Sequence, residues 1–195
     1  LVASCASLPQ AGAGGTEHWV TKRTSAGDVR LFLWRKRHAD APKGPLVFVH
    51  GSSVQSVPAF DLQIPGRPEA SVMDWFARLG YDTWCFDCEG YGRSDKWRPV
   101  NADIACGADD LAAVSAFIIG VTGKKLLVYG PSSGALRVGM FAQHHPERIR
   151  RIVLDALVYT GAGSPTLAER RKRLPQYRAA NRRPINREFV RSIFT

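Results

Sequence analysis

Gly130-Pro131-Ser132-Ser133-Gly134 fits the pattern G-x-S-x-G, and its surroundings decide how the rest of the chain is read. Before it stands Leu126-Leu127-Val128-Tyr129, an apolar run of strand length. After it, Gly134 to His145 reads as a helix stopped by Pro146. A serine between a strand and a helix can be lifted above a sheet edge by a strained turn, provided its neighbours lack side chains that would collide. Ala135 and Gly139 are then expected to keep the helix close to the sheet. Serine is also a common helix N-cap, so the pentapeptide by itself fits an ordinary helix start equally well. The neighbouring segments separate the two readings.

Upstream, Leu46-Val47-Phe48-Val49 is a second apolar run, bounded by Pro45 and Gly51, and it leads into His50-Gly51-Ser52-Ser53. Tyr81 to Asp87 reads as a third strand and leads into Asp87-Cys88-Glu89-Gly90-Tyr91-Gly92-Arg93-Ser94. Between these runs, Ser71 to Leu79 places Val72, Trp75, Phe76 and Leu79 at helical spacing, predicting a helix that buries those four and ends at Gly80. Asp109 to Ile119 predicts another, with Leu111, Val114 and Ile118 inward, and Ile152 to Leu154 a further buried strand. His18 to Lys22 and Arg30 to Arg35 flank the turn residues Thr24 to Asp28 and predict an antiparallel hairpin. Strands alternating with helices demand parallel pairing and right-handed crossovers. The fold class is therefore α/β: a mostly parallel, doubly wound sheet with an N-terminal antiparallel hairpin. After Ala156 the alternation stops. Gly161, Gly163 and Pro165 mark a loop, and Thr166 is expected to cap a helix over Leu167 to Leu174 that opens a basic helical insertion.

Three motifs in this order, each at the carboxyl end of a strand, resemble the α/β-hydrolase superfamily over residues 17 to 160. The resemblance implies a serine hydrolase acting on a carboxylic ester or related small acyl compound, with no cofactor and no metal. It implies that Ser132 is the nucleophile and that the backbone N–H groups of Ser52 and Ser133 form the oxyanion hole. Whether Ser52 or Ser53 donates is left open. It also implies an N-terminal core over residues 16 to 160 and the start of a cap domain over 161 to 195. The elbow and the run Ser164-Pro165-Thr166-Leu167-Ala168-Glu169-Arg170 look like bacterial hydrolases of undefined substrate.

The family order is nucleophile, acid, histidine, and the chain ends at Thr195 inside the expected cap, so the acid and base are expected beyond it. His50 precedes the oxyanion glycine and is expected to brace that loop. His144 and His145 lie at the far end of a helix of about a dozen residues, roughly 18 Å from the elbow. His18 and His38 belong to the hairpin region. Asp155 ends the strand after the elbow, where a structural role is expected over that of a triad acid. Without a base, Ser132 would be a weak nucleophile, which leaves a non-catalytic, ligand-binding member of the same fold as the alternative.

The 195 residues are 45% hydrophobic and 23% charged, ordinary for one globular domain. The formal charge of +10 is concentrated after Ala168, where nine Arg or Lys face Glu169 and Glu188. No nucleic-acid motif accompanies this cluster, and a solvated helical face is expected rather than nucleic-acid binding. No apolar run is read as long enough to span a bilayer. Cys85 and Cys88 lie three apart on a strand, hence on opposite faces, and neither they nor Cys5 and Cys106 build a disulfide framework or a zinc site. Residues 1 to 15 read as a flexible leader. The chain lacks an initial Met, so a preceding segment is expected, and Val2-Ala3-Ser4-Cys5 resembles a lipobox that would place a lipid anchor on Cys5. Export, with or without that lipid, and a cytoplasmic location both remain open.

Overall fold

The computed structural model describes residues 14–38, 41–180 and 186–194. Cys5, with its expected lipid anchor, and most of the leader lie outside those residues, as do Arg182 and Arg183 of the basic cluster.

Six strands form one sheet: β1 (Thr16–Thr24), β2 (Gly27–Lys36), β3 (Pro45–Val49), β4 (Asp82–Phe86), β5 (Leu126–Pro131) and β6 (Ile149–Asp155). Their spatial order is β1-β2-β4-β3-β5-β6. β1 pairs antiparallel with β2, and β2 antiparallel with β4, while β4, β3, β5 and β6 run parallel. This is the mostly parallel sheet with an antiparallel hairpin that the sequence pattern demands.

Every residue of β3 and β4 is buried, because both faces of the sheet are covered there. Alternate side chains feed two cores. Val47, Val49, Trp84, Phe86, Leu126 and Val128 pack on one face against α3 (Ile104–Thr122) and α4 (Ser133–His144). Leu46, Phe48 and Cys85 pack on the other with Phe60 of α1 (Ser56–Phe60) and Met73 of α2 (Val72–Arg78). Cys85 and Cys88 fall into different cores, both as buried free thiols, although β4 ends at Phe86 and Cys88 lies in the loop beyond it.

Helix α2 forms where expected, with Ser71 accepting a hydrogen bond from the Asp74 N–H as its N-cap, but it turns a different face inward. Met73, Asp74 and Ala77 are buried, whereas Val72, Trp75 and Leu79 are 39%, 45% and 37% exposed. The reason is a buried ionic cluster. The Lys36 ammonium donates to Asp61 at 2.7 Å and to Asp74 at 2.8 Å, while Trp34 Nε1 and Ser71 Oγ donate to Asp61 at 2.7 and 2.6 Å. Burial would raise the Asp61 pKa, but these hydrogen bonds and the lysine charge hold it below its ordinary value. Leaving Lys36 buried without Asp74 would cost more than exposing Val72 and Trp75.

Helix α3 starts five residues earlier than expected, at Ile104, because Asp103 caps it through the Cys106 N–H at 2.9 Å. Leu111, Val114 and Ile118 face inward as expected. At 19 residues and mean hydropathy 1.7, α3 is long and apolar enough to cross a membrane by length and composition, which corrects the reading that no such run exists. Here it packs as a core helix between β1 and α4, its Asp110 paired with Lys22 of β1 at 2.5 Å.

Strand β6 is not the buried strand expected: Ile152 and Val153 are 37% and 57% exposed. It is the outer strand, and no described helix covers its second face. Beside it lies an apolar trough of about 1150 Å³, floored by Phe48, Leu127, Tyr129 and Val153 and edged by Lys43, Arg150 and Arg151. Beyond it follow α5 (Pro165–Lys172), α6 (Leu174–Ala179) and α7 (Arg187–Phe194), and neither α5 nor α6 contains a buried residue. The cap of α5 is Ser164, not Thr166; Ser164 Oγ accepts from the Leu167 N–H, and Pro165 takes the first helical position, where its missing N–H costs nothing.

Candidate active site

Strand β3 lies between β4 and β5, so successive crossovers leave it in opposite directions and the loops at the carboxyl ends of β3 and β5 diverge. In open α/β sheets a crevice forms at such a reversal. The loop His50–Ser53 stands on one side of it and the elbow Gly130–Gly134 on the other.

Ser132 has φ 55° and ψ −122°, a conformation that a side chain makes unfavourable, at a cost of order 1–3 kcal/mol. An ordinary N-cap residue sits in the extended region instead, as Asp103 does at the start of α3. The strain is held from both sides. The Ser132 N–H donates to the Asp155 carbonyl at 2.9 Å, and the Ser132 carbonyl accepts from the Ala135 N–H at 3.0 Å. A Cβ on Gly134 would stand 2.3 Å from the Val49 carbonyl oxygen, and one on Gly130 would stand 2.6 Å from the Gly134 oxygen. Both glycines are thus required by contact. Gly139, by contrast, faces open space and does not bring the helix close, contrary to expectation.

The opposing loop approaches closely. A Cβ on Gly51 would stand 3.6 Å from that of Ser132, and the Ser52 and Ser133 hydroxyls are 2.9 Å apart. Ser53 adopts φ 78°. The structure therefore brings Ser52, Ser132 and Ser133 together at one crevice, beside the first residues of α4, whose unpaired N–H groups carry partial positive charge.

His50 lies wholly buried behind this loop. Its Nδ1 is 2.7 Å from the Gly51 carbonyl, which can only accept, so Nδ1 carries the proton and Nε2 is left bare to accept the Cys88 N–H at 3.0 Å. Burial, aided by the nearby Arg137 charge, lowers its pKa to about 4. Both nitrogens are committed, so His50 braces the loop.

The Asp87–Ser94 segment is also a brace. Asp87 accepts from the Ser56 N–H and hydroxyl at 2.8 and 2.7 Å and from the Arg93 N–H at 2.9 Å. Gly92, at φ +47°, passes so close that a Cβ would stand 2.0 Å from the Asp87 carboxylate. Ser94 Oγ donates to the Asp87 carbonyl and accepts from the Phe32 N–H, tying the loop to β2.

Asp155 lies beside the elbow and accepts from the Tyr129 hydroxyl at 2.7 Å. Burial, with the Asp155 hydrogen bond and charge, pushes the Tyr129 phenol up to about 12. Among the described residues no side chain hydrogen-bonds the Ser132 hydroxyl. His18 packs on Trp84 and Phe117, and His145 stacks on Phe141 at the far end of α4. Arg137 escaped the sequence reading. It is buried in α4, crosses α3 where Gly107 leaves room, and donates to the His50 carbonyl at 2.7 Å. Nothing in the spacing of α4 marks it, since its partner is 87 residues away.

Glu89, Cys106 and Asp110 place ligand-type atoms within 4.8 Å of one another. The Lys22 ammonium already lies 2.8 Å from Glu89 and 2.5 Å from Asp110, and Arg98 pairs with Glu89. The two carboxylates are balanced by two cations, a donor set that does not fit a metal ion.

The sequence profile of the family described as serine aminopeptidase, S33, matches residues 65–183. No curated protein sequence matches the chain. Among solved structures, a CIB-like hydrolase from Thermoplasma acidophilum is similar with TM-score 0.55 and 17% identity, over 75% of this chain and 67% of that one. A thermophilic esterase from Thermogutta terrifontis is similar with TM-score 0.57 and 22% identity, over 84% of this chain and 53% of that one. A thioesterase domain from the curacin biosynthetic pathway is similar with TM-score 0.60 and 17% identity, over 88% of this chain and 55% of that one. The chain spans about half the length of the last two.

Proposed function

This chain belongs to the serine aminopeptidase S33 family of α/β-hydrolases, and from that premise we propose that it carries the nucleophile half of a hydrolase. The substrate we assign is a small carboxylic ester or related acyl compound, opened through an acyl-serine intermediate. The observation that carries this reading is the strained Ser132 backbone, locked by glycines at sub-van der Waals allowance on both sides.

Ser132 Oγ forms a bond to the acyl carbon, and the carbonyl electron pair moves onto oxygen. The N–H groups of Ser52 and Ser133 receive that oxyanion, helped by the N-terminus of α4. The Ser132 proton passes to a base carried outside the described residues and then to the departing alkoxide. Water repeats the sequence on the acyl-serine and frees the acid. We take α5 and α6 as the start of a cap, and the cationic side chains of α5 as favouring an anionic acyl substrate.

The bare Ser132 hydroxyl supports a second reading, a member of the fold that binds ligands without turning them over. A fluorophosphonate probe separates the two. The complete open reading frame is expected to label covalently and S132A to lose labelling; a folded protein that labels equally in both forms, or in neither, sinks the hydrolase reading.

A further inference from the structure

The two residues assigned as backbone donors to the oxyanion also join their side chains across the crevice. Ser52 Oγ and Ser133 Oγ are 2.9 Å apart although 81 residues separate them in sequence, and neither hydroxyl has another partner among the described residues. A hydrogen bond between two hydroxyls uses one proton. The accepting hydroxyl keeps its own, free to rotate toward a third group. Both side chains stand at the mouth of the crevice, with Ser52 and Ser132 exposed to it.

We propose that the Ser52–Ser133 hydroxyl pair is a third donor to the oxyanion, beyond the two backbone N–H groups. The inference rests on the acyl-serine reading above. When the electron pair moves onto the carbonyl oxygen, the free hydroxyl proton turns to that oxygen and donates without leaving its own. The donating hydroxyl polarises the accepting one, so the pair is a stronger donor than either serine alone. In the free enzyme the same bond holds the β3 loop and the elbow at the spacing the oxyanion needs, so little reorganisation accompanies the reaction.

The test uses the complete protein with p-nitrophenyl acetate and compares S52A, S133A, S52A/S133A and S52T for kcat, KM and melting temperature. Removing one full oxyanion-hole donor costs a hundredfold or more in kcat; with both backbone donors left in place, about tenfold is expected for S52A. KM should stay within about twofold, and the double variant should lose no more than the worse single one, since the pair acts as a unit. S52T, which keeps the hydroxyl, should recover most of the rate. Three results overturn the proposal alone: kcat unchanged in both single variants, a loss confined to KM or melting temperature, or losses that multiply in the double variant. Activity that survives S132A would instead remove the acyl-serine reading, and this proposal with it.

Discussion

His50 shows how a single residue can be functional by position and inert by chemistry. Its Nδ1 proton is fixed on the Gly51 carbonyl and its Nε2 accepts the Cys88 N–H, so protonation would set two N–H groups against each other. With a folded pKa of about 4 against an ordinary 6.5, the unfolded chain takes up the proton first as pH falls. The stabilising contribution is therefore complete above pH 6.5 and is lost as the pH drops from 6.5 toward 4, by about 3 kcal/mol in all. Urea unfolding at pH 7.5 and pH 4.5 should show the parent losing about 2–3 kcal/mol more than H50Q; equal losses would assign the acid sensitivity elsewhere. The brace was legible from the place of His50 before the oxyanion glycine. Its partners were not, because Cys88 and Arg137 lie 38 and 87 residues away and neither spacing leaves a local mark.

At the scale of elements, the approach of α4 to β3 depends on one missing side chain. G134A would drive a Cβ to 2.3 Å from the Val49 carbonyl in a fully buried strand, where the backbone has no room to give. A loss of about 3 kcal/mol or more is expected. Gly139 on the same helix meets nothing, so G139A should instead stabilise by about 0.5–1 kcal/mol through helix propensity. Chemical denaturation of the two variants checks both signs at once. Gly139 had looked like the contact glycine because the sequence reveals size and spacing but not which side of a helix meets the sheet. The same ambiguity explains α2. Val72, Trp75 and Leu79 have faultless helical spacing, and so do Met73 and Ala77. The choice fell to Asp74, whose partner Lys36 sits on a distant strand. Strands β3 and β5 were legible from their short apolar runs Leu46 to Val49 and Leu126 to Tyr129; in β6 the apolar run is only Ile152 to Leu154, at the open edge, where such a run says nothing about burial.

At the scale of the whole molecule, the middle strands of the described sheet are covered on both faces, while its outer strand β6 is exposed, Ile152 at 37% and Val153 at 57%. The trough of about 1150 Å³ beside β6 leaves Val153 exposed and Leu127 and Tyr129 only half-buried. Exposed apolar surface of this extent binds hydrophobic dyes. The 195-residue chain should enhance ANS fluorescence under native conditions while its near-UV circular dichroism persists. An isolated chain that leaves ANS dark would mean that the trough closes by itself.

The strand order also sets a schedule. β3 enters the sheet early in the sequence, yet the neighbour that completes its crevice is β5, and the elbow is tied down only when the Ser132 N–H meets the carbonyl of Asp155 at the end of β6. β3 and β5 pair directly, so what waits for β6 is the second anchor of the elbow. A nascent chain therefore holds the elbow untied until the sixth strand docks beside β5, and only then is the strained Ser132 backbone fixed by the Asp155 carbonyl.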